Sequence, residues 1–324
     1  MKKEEELIAP VDRDLLVSEL TGDRFLRKTN NASNEIYVVN AHNSPNLMQE
    51  IGRLREFSFR IAGGGTGKSL DIDQYDTAEE PYEQLIVWDP VDLEVVGGYR
   101  YKLCNDISFY SPGVPRLATS GMFSFSEKFI EDFLPYTIEL GRSFVQPAYQ
   151  PSRENRKSIY SLDNLWDGLG ALMVDQPSMK YFFGKVTMYP HFNVYARDLI
   201  LYFLGNYYPD PEKLVYPKNP LSLKTPVKEL EKVFTGSNID ENYNLLSKEV
   251  RKQNENIPPL ISSYTALSRT MKTFGTAINH DFGGVEETGI LITIGDIYEA
   301  KKERFVKSYI DWRNEGGKID FFRI

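Results

Sequence analysis

The sequence predicts a mixed α/β (α+β) fold in which a centrally antiparallel sheet is flanked by helices. Segments rich in β-branched and aromatic residues alternate with segments whose apolar residues recur at helical spacing. In the middle of the chain, several predicted strands follow one another without an intervening helix. A doubly wound nucleotide-binding fold would separate its strands by helices throughout, so the order of the elements disfavours that fold.

The first elements are a polar extension, a strand and a long helix. Residues 1–35 are polar with scattered apolar residues and predict a helical extension. Glu35–Asn40 (EIYVVN) is β-branched and aromatic and predicts a strand. Ser44 and Pro45 predict a helix start, with serine as the cap and proline at the first helical position. Four apolar residues at helical spacing predict the core-facing side of that helix: Leu47, Ile51, Leu54 and Ile61.

The remaining elements follow from the same patterns. Strands are predicted at Gln84–Asp89, Glu94–Cys104, Tyr136–Pro147 and Tyr181–Met188, with two short ones near 276–280 and 289–294. Helices are predicted at Ser161–Asp175, Asn193–Tyr207 and Ile261–Phe274. This order divides the chain into a helical extension (1–35), a core (36–208), a proline-rich helical insertion (209–260) and a C-terminal part that completes the fold (261–324).

Composition excludes several classes of protein. The net charge of −8 argues against a general nucleic-acid binder. The single cysteine, Cys104, excludes an internal disulfide framework and a cysteine-based zinc site. The three histidines lie at no metal-ligand spacing, so no metal is expected: His42, His191 and His280. No secretory signal is recognisable, and the longest apolar run, near 199–204, is too short to span a bilayer, so a cytoplasmic location is expected.

Ala62–Ser69 (AGGGTGKS) nearly matches a phosphate-binding loop, in which Lys68 would contact the terminal phosphate and Ser69 a magnesium ion. Such a loop should follow a buried strand and open a helix. Here the preceding residues continue a helix and the following segment is acidic. A flexible hinge is therefore favoured, and a nucleotide-binding protein is kept as an alternative function.

Three separated segments carry charged residues in a pattern that suggests a site. They are Arg55-x-x-x-Phe59, the acidic run Asp71-x-Asp73-x-x-Asp76 followed by Arg100 in a glycine-containing strand, and Glu139-Leu140-Gly141-Arg142 inside an otherwise apolar strand. Charges in a half-buried strand are costly unless each is paired. A structural ion pair would explain a lone E-x-x-R, but the three segments together favour a functional cluster.

The order of these segments resembles the acyltransferase branch of the GNAT fold. That branch includes acyl-homoserine-lactone synthases and the ornithine-lipid or glycine-lipid N-acyltransferases, some of which are labelled hemolysin-like. The similarity spans roughly residues 36–300 and includes E-L-G-R letter for letter, Tyr181–Thr187 and Phe282–Leu291. Two features depart from the pattern: Asp71 stands where the lactone synthases have Glu, and the Gln-x-x-Gly-x-Gly/Ala loop of acetyl-CoA enzymes is absent.

The resemblance implies a GNAT-like fold and an N-acyltransferase. Its substrate would be a long-chain acyl group, with or without a 3-hydroxyl, carried as an acyl-carrier-protein or CoA thioester. Its acceptor would be the amine of a small amino acid, glycine or ornithine, in aminolipid synthesis. No permanently bound cofactor is implied, and the inner face of the cytoplasmic membrane is a candidate for peripheral association. A non-catalytic relative that binds acyl groups or lipid is the remaining alternative.

The same resemblance suggests roles for individual residues. Glu139 is the candidate base, acting through a water, and Asp73 competes with it for that role. Gly141 is the candidate bulge residue that would expose a backbone N–H to the oxyanion. Arg142 and Arg100 have two interpretations, as partners of Glu139 and Asp73 or as a grip on the acceptor carboxylate. The remaining candidates for substrate binding are Arg55, Phe59, Asp71, Asp76 and Thr187.

A basic segment follows the E-L-G-R strand and contains Arg153, Arg156 and Lys157. These side chains suit the phosphopantetheine phosphate of an acidic acyl carrier protein. A solvated loop is the competing interpretation, since charge clusters are usually solvent-facing.

Overall fold

The computed structural model describes residues 4–150 and 160–317. They form two compact units. The first unit contains residues 4–102, 138–150, 160–179 and 298–317, and the second contains 103–137 and 180–297.

The strands are β1 (Phe25–Lys28), β2 (Glu35–Val39), β3 (Glu83–Asp89), β4 (Glu94–Leu103), β5 (Phe109–Ser111), β6 (Val114–Pro115), β7 (Phe123–Phe125), β8 (Thr137–Val145), β9 (Tyr181–Met188), β10 (Val215–Pro217), β11 (Lys272–Asn279) and β12 (Val285–Thr293). The helices are α1 (Arg13–Glu19), α2 (Pro45–Ile61), α3 (Ser161–Asp175), α4 (Val194–Tyr207), α5 (Val227–Glu231), α6 (Ile239–Lys252), α7 (Pro259–Thr265), α8 (Glu299–Lys302) and α9 (Ser308–Asn314). Short π turns lie at Phe129–Phe133 and Glu303–Lys307, and 3-10 turns at Leu134–Tyr136, Pro147–Tyr149, His280–Phe282 and Ile294–Asp296.

The first unit contains a sheet in the order β1-β2-β3-β4-β8, and the pairings from β1 to β4 are antiparallel. The central strand β3 is buried on both faces, and the apolar side of α2 is buried as well. Gly97 on β4 allows a close approach to β8, because a Cβ there would lie 2.4 Å from the carbonyl oxygen of Phe144. This sheet and α2 form the scaffold of the charged cluster described below.

The second unit contains an antiparallel sheet in the order β9-β12-β11. It also contains the strand pairs β7–β10 and β5–β6. Its core is rich in aromatic side chains, including Phe125, Phe129, Phe183 and Phe274. The predicted fold class is confirmed: the chain is mixed α/β, with mostly antiparallel strands and flanking helices.

Several predicted elements are confirmed and others are corrected. The strand at residue 35, the helix start at Ser44–Pro45, α3 and β9 lie where the sequence predicts them. Residues 25–28 are a strand paired with β2, so the prediction that residues 1–35 are helical is wrong there. Ile61 is 60% exposed and does not face the core, because it is the last residue of α2. The predicted helix Ile261–Phe274 ends at Thr265, and Lys272 already begins β11. The four-segment division of the chain stays a prediction.

The sequence also predicts a basic carrier-binding segment, and it predicts neither a membrane span nor a metal site. Arg153, Arg156 and Lys157 lie outside the described residues, so their role stays a prediction. Among residues 4–150 and 160–317, no helix has the length and apolar character needed to cross a membrane. Within the same ranges, no three His, Cys, Asp or Glu side chains are grouped to hold a metal ion.

Candidate active site

The acidic run after α2 is held against that helix by backbone contacts. The amide of Asp71 donates to the carbonyl oxygen of Gly52 at 2.9 Å. A side chain at Gly52 would obstruct this approach, since its Cβ would lie 2.8 Å from Ile72. The Arg55 guanidinium then donates to the carbonyl oxygen of Asp71 at 3.3 Å. These contacts fix the start of the acidic run against α2.

Asp76 is the acceptor at the centre of the cluster. Its carboxylate is fully buried and lies 3.3 Å from Arg55 and 3.1 Å from Arg100. Gln84 on β3 and the amide of Asp73 donate to it at 3.0 Å each. Four donors, two of them cationic, compensate for the burial of this charge.

Asp73 and Arg142 form the more accessible edge of the cluster. Asp73 keeps 29% of its side chain exposed and Arg142 keeps 14%, whereas Arg55, Asp76 and Arg100 are almost completely buried. Arg100 contacts Asp73 at 2.7 Å, and Arg142 contacts it at 3.6 Å. Asp73 and Arg142 are therefore more accessible to solvent than the buried charges behind them.

Arg142 also pairs with the third aspartate, Asp71, at 2.7 Å. Asp71 is fully buried, so Arg142 links the buried interior of the cluster to its accessible edge. Three guanidinium groups thus face three aspartates, which makes this part of the cluster electrically neutral.

Neighbouring charges shift the pKa values of Asp73 and Arg100 in opposite directions. Burial alone would raise the pKa of Asp73, but Arg100 and Arg142 outweigh it and lower that pKa to about 2. Burial would lower the pKa of Arg100, but Asp76 and Asp73 raise it above its usual range. Asp73 is therefore ionised at neutral pH and is a weak proton acceptor. The cluster leaves Asp73 better suited to attract a cation than to remove a proton.

Glu139 lies in the same cluster, on β8. Its carboxylate is buried and accepts a short hydrogen bond from the hydroxyl of Tyr82. The ring of Tyr82 lies against the Arg100 guanidinium, 5.1 Å from its carbon. Glu139 is thus connected to the aspartates through Tyr82 and Arg100.

The backbone of β8 is irregular at Arg142, and both Glu139 and Arg142 belong to the charged cluster. In a regular strand, residues three apart point to opposite faces. Arg142 has φ of +48°, in the left-handed region, and this interrupts the alternation. The prediction located the bulge at Gly141, but the left-handed backbone lies at the next residue. The role of Gly141 in oxyanion binding stays a prediction.

The structure also brings in residues that the sequence analysis missed. Tyr75 and Tyr82 pack edge to face at 5.5 Å, and both rings lie against Arg100. Gln84 completes the coordination of Asp76. The signal in the sequence was the polar Gln84 in the otherwise apolar strand β3, with Tyr82 just before the strand begins.

The two remaining predicted site residues of the described ranges are Phe59 on α2 and Thr187 on β9. Phe59 is buried one turn after Arg55 on α2. Thr187 lies in the second unit, where its hydroxyl is 3.4 Å from the buried Glu287. Glu287 in turn pairs with Lys185. Binding roles for Phe59 and Thr187 stay predictions.

The loop that resembles a phosphate-binding site is filled by a side chain of the same protein. The buried carboxylate of Glu56 accepts hydrogen bonds from the amides of Thr66 (2.9 Å) and Gly67 (2.7 Å) and from the Thr66 hydroxyl. Arg60 pairs with the same carboxylate at 2.8 Å. These donors are the ones a phosphate would need. The nucleotide-binding alternative is therefore unsupported. The loop is a turn anchored to α2 through Glu56, and its role as a hinge stays a prediction.

Comparison with known proteins decides the family. A family model described as an acetyltransferase (GNAT) domain matches residues 54–157, which contain the cluster's main residues. Glycine N(alpha)-acyltransferase of Phocaeicola vulgatus is 53% identical over 315 residues, which is 97% of each chain. The protein of the same name from Bacteroides thetaiotaomicron is 55% identical over 307 residues, covering 95% of this chain and 91% of that one. The chain belongs to this family of N-acyltransferases.

The resemblance seen in the sequence is thereby confirmed, and the chain is an N-acyltransferase enzyme. This excludes the interpretation as a non-catalytic relative. Among solved structures, the CoA-dependent acyl-homoserine lactone synthase BjaI with MTA is similar, with a TM-score of 0.38 and 12% identity, covering 86% of this chain and 88% of that one.

Proposed function

We propose that this N-acyltransferase moves a long-chain acyl group from a carrier thioester to the amine of glycine, with Glu139 as the base. The observation that carries the proposal is the buried carboxylate of Glu139, which is connected through Tyr82 and Arg100 to Asp73, the most exposed aspartate of the cluster. The names of the relatives favour glycine over ornithine as the acceptor.

The proposed reaction is an aminolysis. Glycine enters as a zwitterion, so its ammonium group must lose a proton before the nitrogen can attack. The nitrogen lone pair then forms a bond to the thioester carbonyl carbon, and the carbon–sulfur bond breaks. The sulfur leaves as a thiolate, and the second proton lost by the nitrogen as the amide forms converts it to the thiol. The products are therefore an N-acylglycine and the free thiol of the carrier.

Asp73 and Arg142 are suited to hold the two charges of glycine. Asp73, which is ionised at neutral pH, would attract the ammonium group, and Arg142, whose side chain is 14% exposed, would contact the carboxylate. Arg100 is too deeply buried for this task and serves Asp73 and Asp76 instead. The proton passes to Glu139, directly or through a water.

The donor is proposed to be an acyl carrier protein, with CoA as the alternative. The absence of the glycine-rich phosphate loop and the presence of Arg153, Arg156 and Lys157 after β8 support this choice. The product would be an acylated amino acid that partitions into the cytoplasmic membrane, as expected for an enzyme of aminolipid synthesis.

The test is transfer of a palmitoyl group to isotopically labelled glycine, with palmitoyl carrier protein or palmitoyl-CoA as donor and mass spectrometry of the product. We expect N-palmitoylglycine to form, and Glu139→Gln to lower kcat by about 100-fold or more. Glu83→Gln is the matched control, because it makes the same change in the same sheet. Glu83 accepts a hydrogen bond from Asn40 and is the residue after Tyr82. A folded Glu139→Gln enzyme with normal kcat would contradict the assignment of the base, and labelled ornithine as the preferred acceptor would contradict the choice of glycine.

A further inference from the structure

Tyr82 is held rigidly at the start of β3 by three different contacts. Its side chain is buried, and its hydroxyl donates to Oε2 of Glu139. Its amide donates to the carbonyl oxygen of Tyr75 at 2.8 Å. Its ring packs on the Arg100 guanidinium and against the ring of Tyr75. A side chain fixed at its backbone, its ring and its hydroxyl has little freedom to change rotamer.

The contact between Tyr82 and Glu139 has a direct chemical consequence. A phenol has an ordinary pKa near 10 and is a proton donor at neutral pH, whereas an ionised carboxylate can only accept. The hydrogen bond therefore stabilises the ionised carboxylate relative to the protonated one. The hydrogen bond also directs Oε2 of Glu139 towards the phenol, so the orientation of Oε1 is fixed as well.

We propose that Tyr82 is a positioning residue that keeps the Glu139 carboxylate ionised and oriented for proton removal. The inference rests on the proposed function, in which Glu139 is the base. Tyr82 acts through Glu139 and does not itself receive the proton. A hydroxyl that donates to this carboxylate offsets part of the cost of burying its charge.

A purely structural role is the competing explanation, since the ring also packs on Arg100. Tyr82→Phe separates the two roles because it keeps the ring and removes only the hydroxyl. If Tyr82 positions the base, kcat should fall about 10-fold near neutral pH, and the acidic limb of the pH–rate profile should move to higher pH. If the role is only structural, activity should fall by the same factor at every pH.

Tyr37→Phe is the matched control. The Tyr37 hydroxyl donates to Glu35 at 2.8 Å, so this variant also loses a tyrosine–glutamate hydrogen bond in the same sheet. Its pH–rate profile should keep the shape of the wild-type profile. If Tyr82→Phe fails to fold, a more acidic fluorinated tyrosine at position 82 preserves the packing, and its stronger hydrogen bond should move the acidic limb to lower pH.

The outcomes distinguish this inference from the proposed function. Normal kcat in Glu139→Gln would overturn both. A strong loss in Glu139→Gln combined with an unmoved acidic limb in Tyr82→Phe and the fluorinated enzyme would overturn only the role of Tyr82. We also expect Tyr82→Phe to cause no further loss of kcat in the Glu139→Gln background, because the hydroxyl then has no base to position. Additive losses would contradict the inference.

Discussion

The charge of Asp73 bears on both the proposed binding of glycine and the stability of the fold. Asp73 is the most exposed of the three aspartates, and it is shared by Arg100 and Arg142. With Glu139 included, the cluster has four carboxylates for three guanidinium groups. Replacing Asp73 by asparagine would keep the shape of the site and remove the negative charge from its most exposed carboxylate.

Asp73→Asn should weaken glycine binding and change the response of the fold to acid. The KM for glycine should rise about 10-fold, because the carboxylate proposed to attract the ammonium group is lost. The pKa of Asp73 in the folded protein is about 2, below its ordinary value of 3.8. A lowered pKa stabilises the fold above pH 4, and this contribution disappears as the pH falls towards 2. The partial exposure of Asp73 limits it to about 1–2 kcal/mol.

Urea denaturation at several pH values between 2 and 7 measures this contribution. The difference in unfolding free energy between the wild type and Asp73→Asn should be largest above pH 4 and should shrink towards pH 2. A difference that stays constant over this range would show that the charge of Asp73 does not stabilise the fold. Steady-state kinetics with glycine as the varied substrate measures the change in KM.

At the scale of elements, the turn between α2 and the acidic run determines where the aspartates lie. Glu56 on α2 binds the amides of Thr66 and Gly67 and so closes the turn a few residues before Asp71. Gly65 has φ of +97°, and a Cβ there would lie 3.0 Å from the Glu56 carboxylate. Gly67 has φ of +75°, and a Cβ there would meet nothing within 4 Å.

The two glycines therefore make a matched pair of alanine substitutions. Gly67→Ala should cost about 1 kcal/mol of stability from the left-handed backbone alone. Gly65→Ala should cost about 2–3 kcal/mol, because its Cβ also pushes on Glu56. Gly65→Ala should additionally raise the KM for glycine, since the aspartates depend on the turn. Chemical denaturation and kinetics measure both effects; equal stability losses in the two variants would show that the Glu56 contact is unimportant.

The elements also show how far the sequence determined the structure. Strands and helices with a strong period, such as β9 and α3, are predicted with correct bounds. The helix predicted at Ile261–Phe274 fails because periodicity does not show where an apolar segment changes from helix to strand. Ile61 is exposed because the helix ends there, which the apolar spacing does not reveal.

The candidate site could be predicted only in part, because sequence spacing shows local patterns and not long-range contacts. The spacing of charged residues identified Arg55, the three aspartates, Arg100 and the E-L-G-R segment, and the structure brings them together. Tyr82 and Glu139 are 57 positions apart in the sequence, so no local sequence pattern predicts their contact. The left-handed backbone at Arg142 was missed because glycine, not arginine, is the residue expected there.

At the scale of the whole molecule, net charge limits how the acyl donor is recognised. The chain carries a net charge of −8, and an acyl carrier protein is also acidic, so their overall fields repel. If the donor is an acyl carrier protein, as proposed, a local basic segment is the feature that could attract and orient it. Arg153, Arg156 and Lys157 are the candidate segment, because they come soon after the strand that carries Glu139 in the sequence.

Replacing Arg153, Arg156 and Lys157 together by alanine should raise the KM for acyl carrier protein by about 10-fold or more. The same variant should use an acyl-pantetheine without phosphate as well as the wild type does, because that donor has no negative charge to bind. The matched control replaces three exposed lysines of the 209–260 segment by alanine: Lys228, Lys232 and Lys248. It has the same change in net charge, so its KM for the carrier should change much less. Equal increases of KM in both triple variants would show that net charge alone governs the encounter, and an unchanged KM in the first would remove the basic segment from carrier recognition.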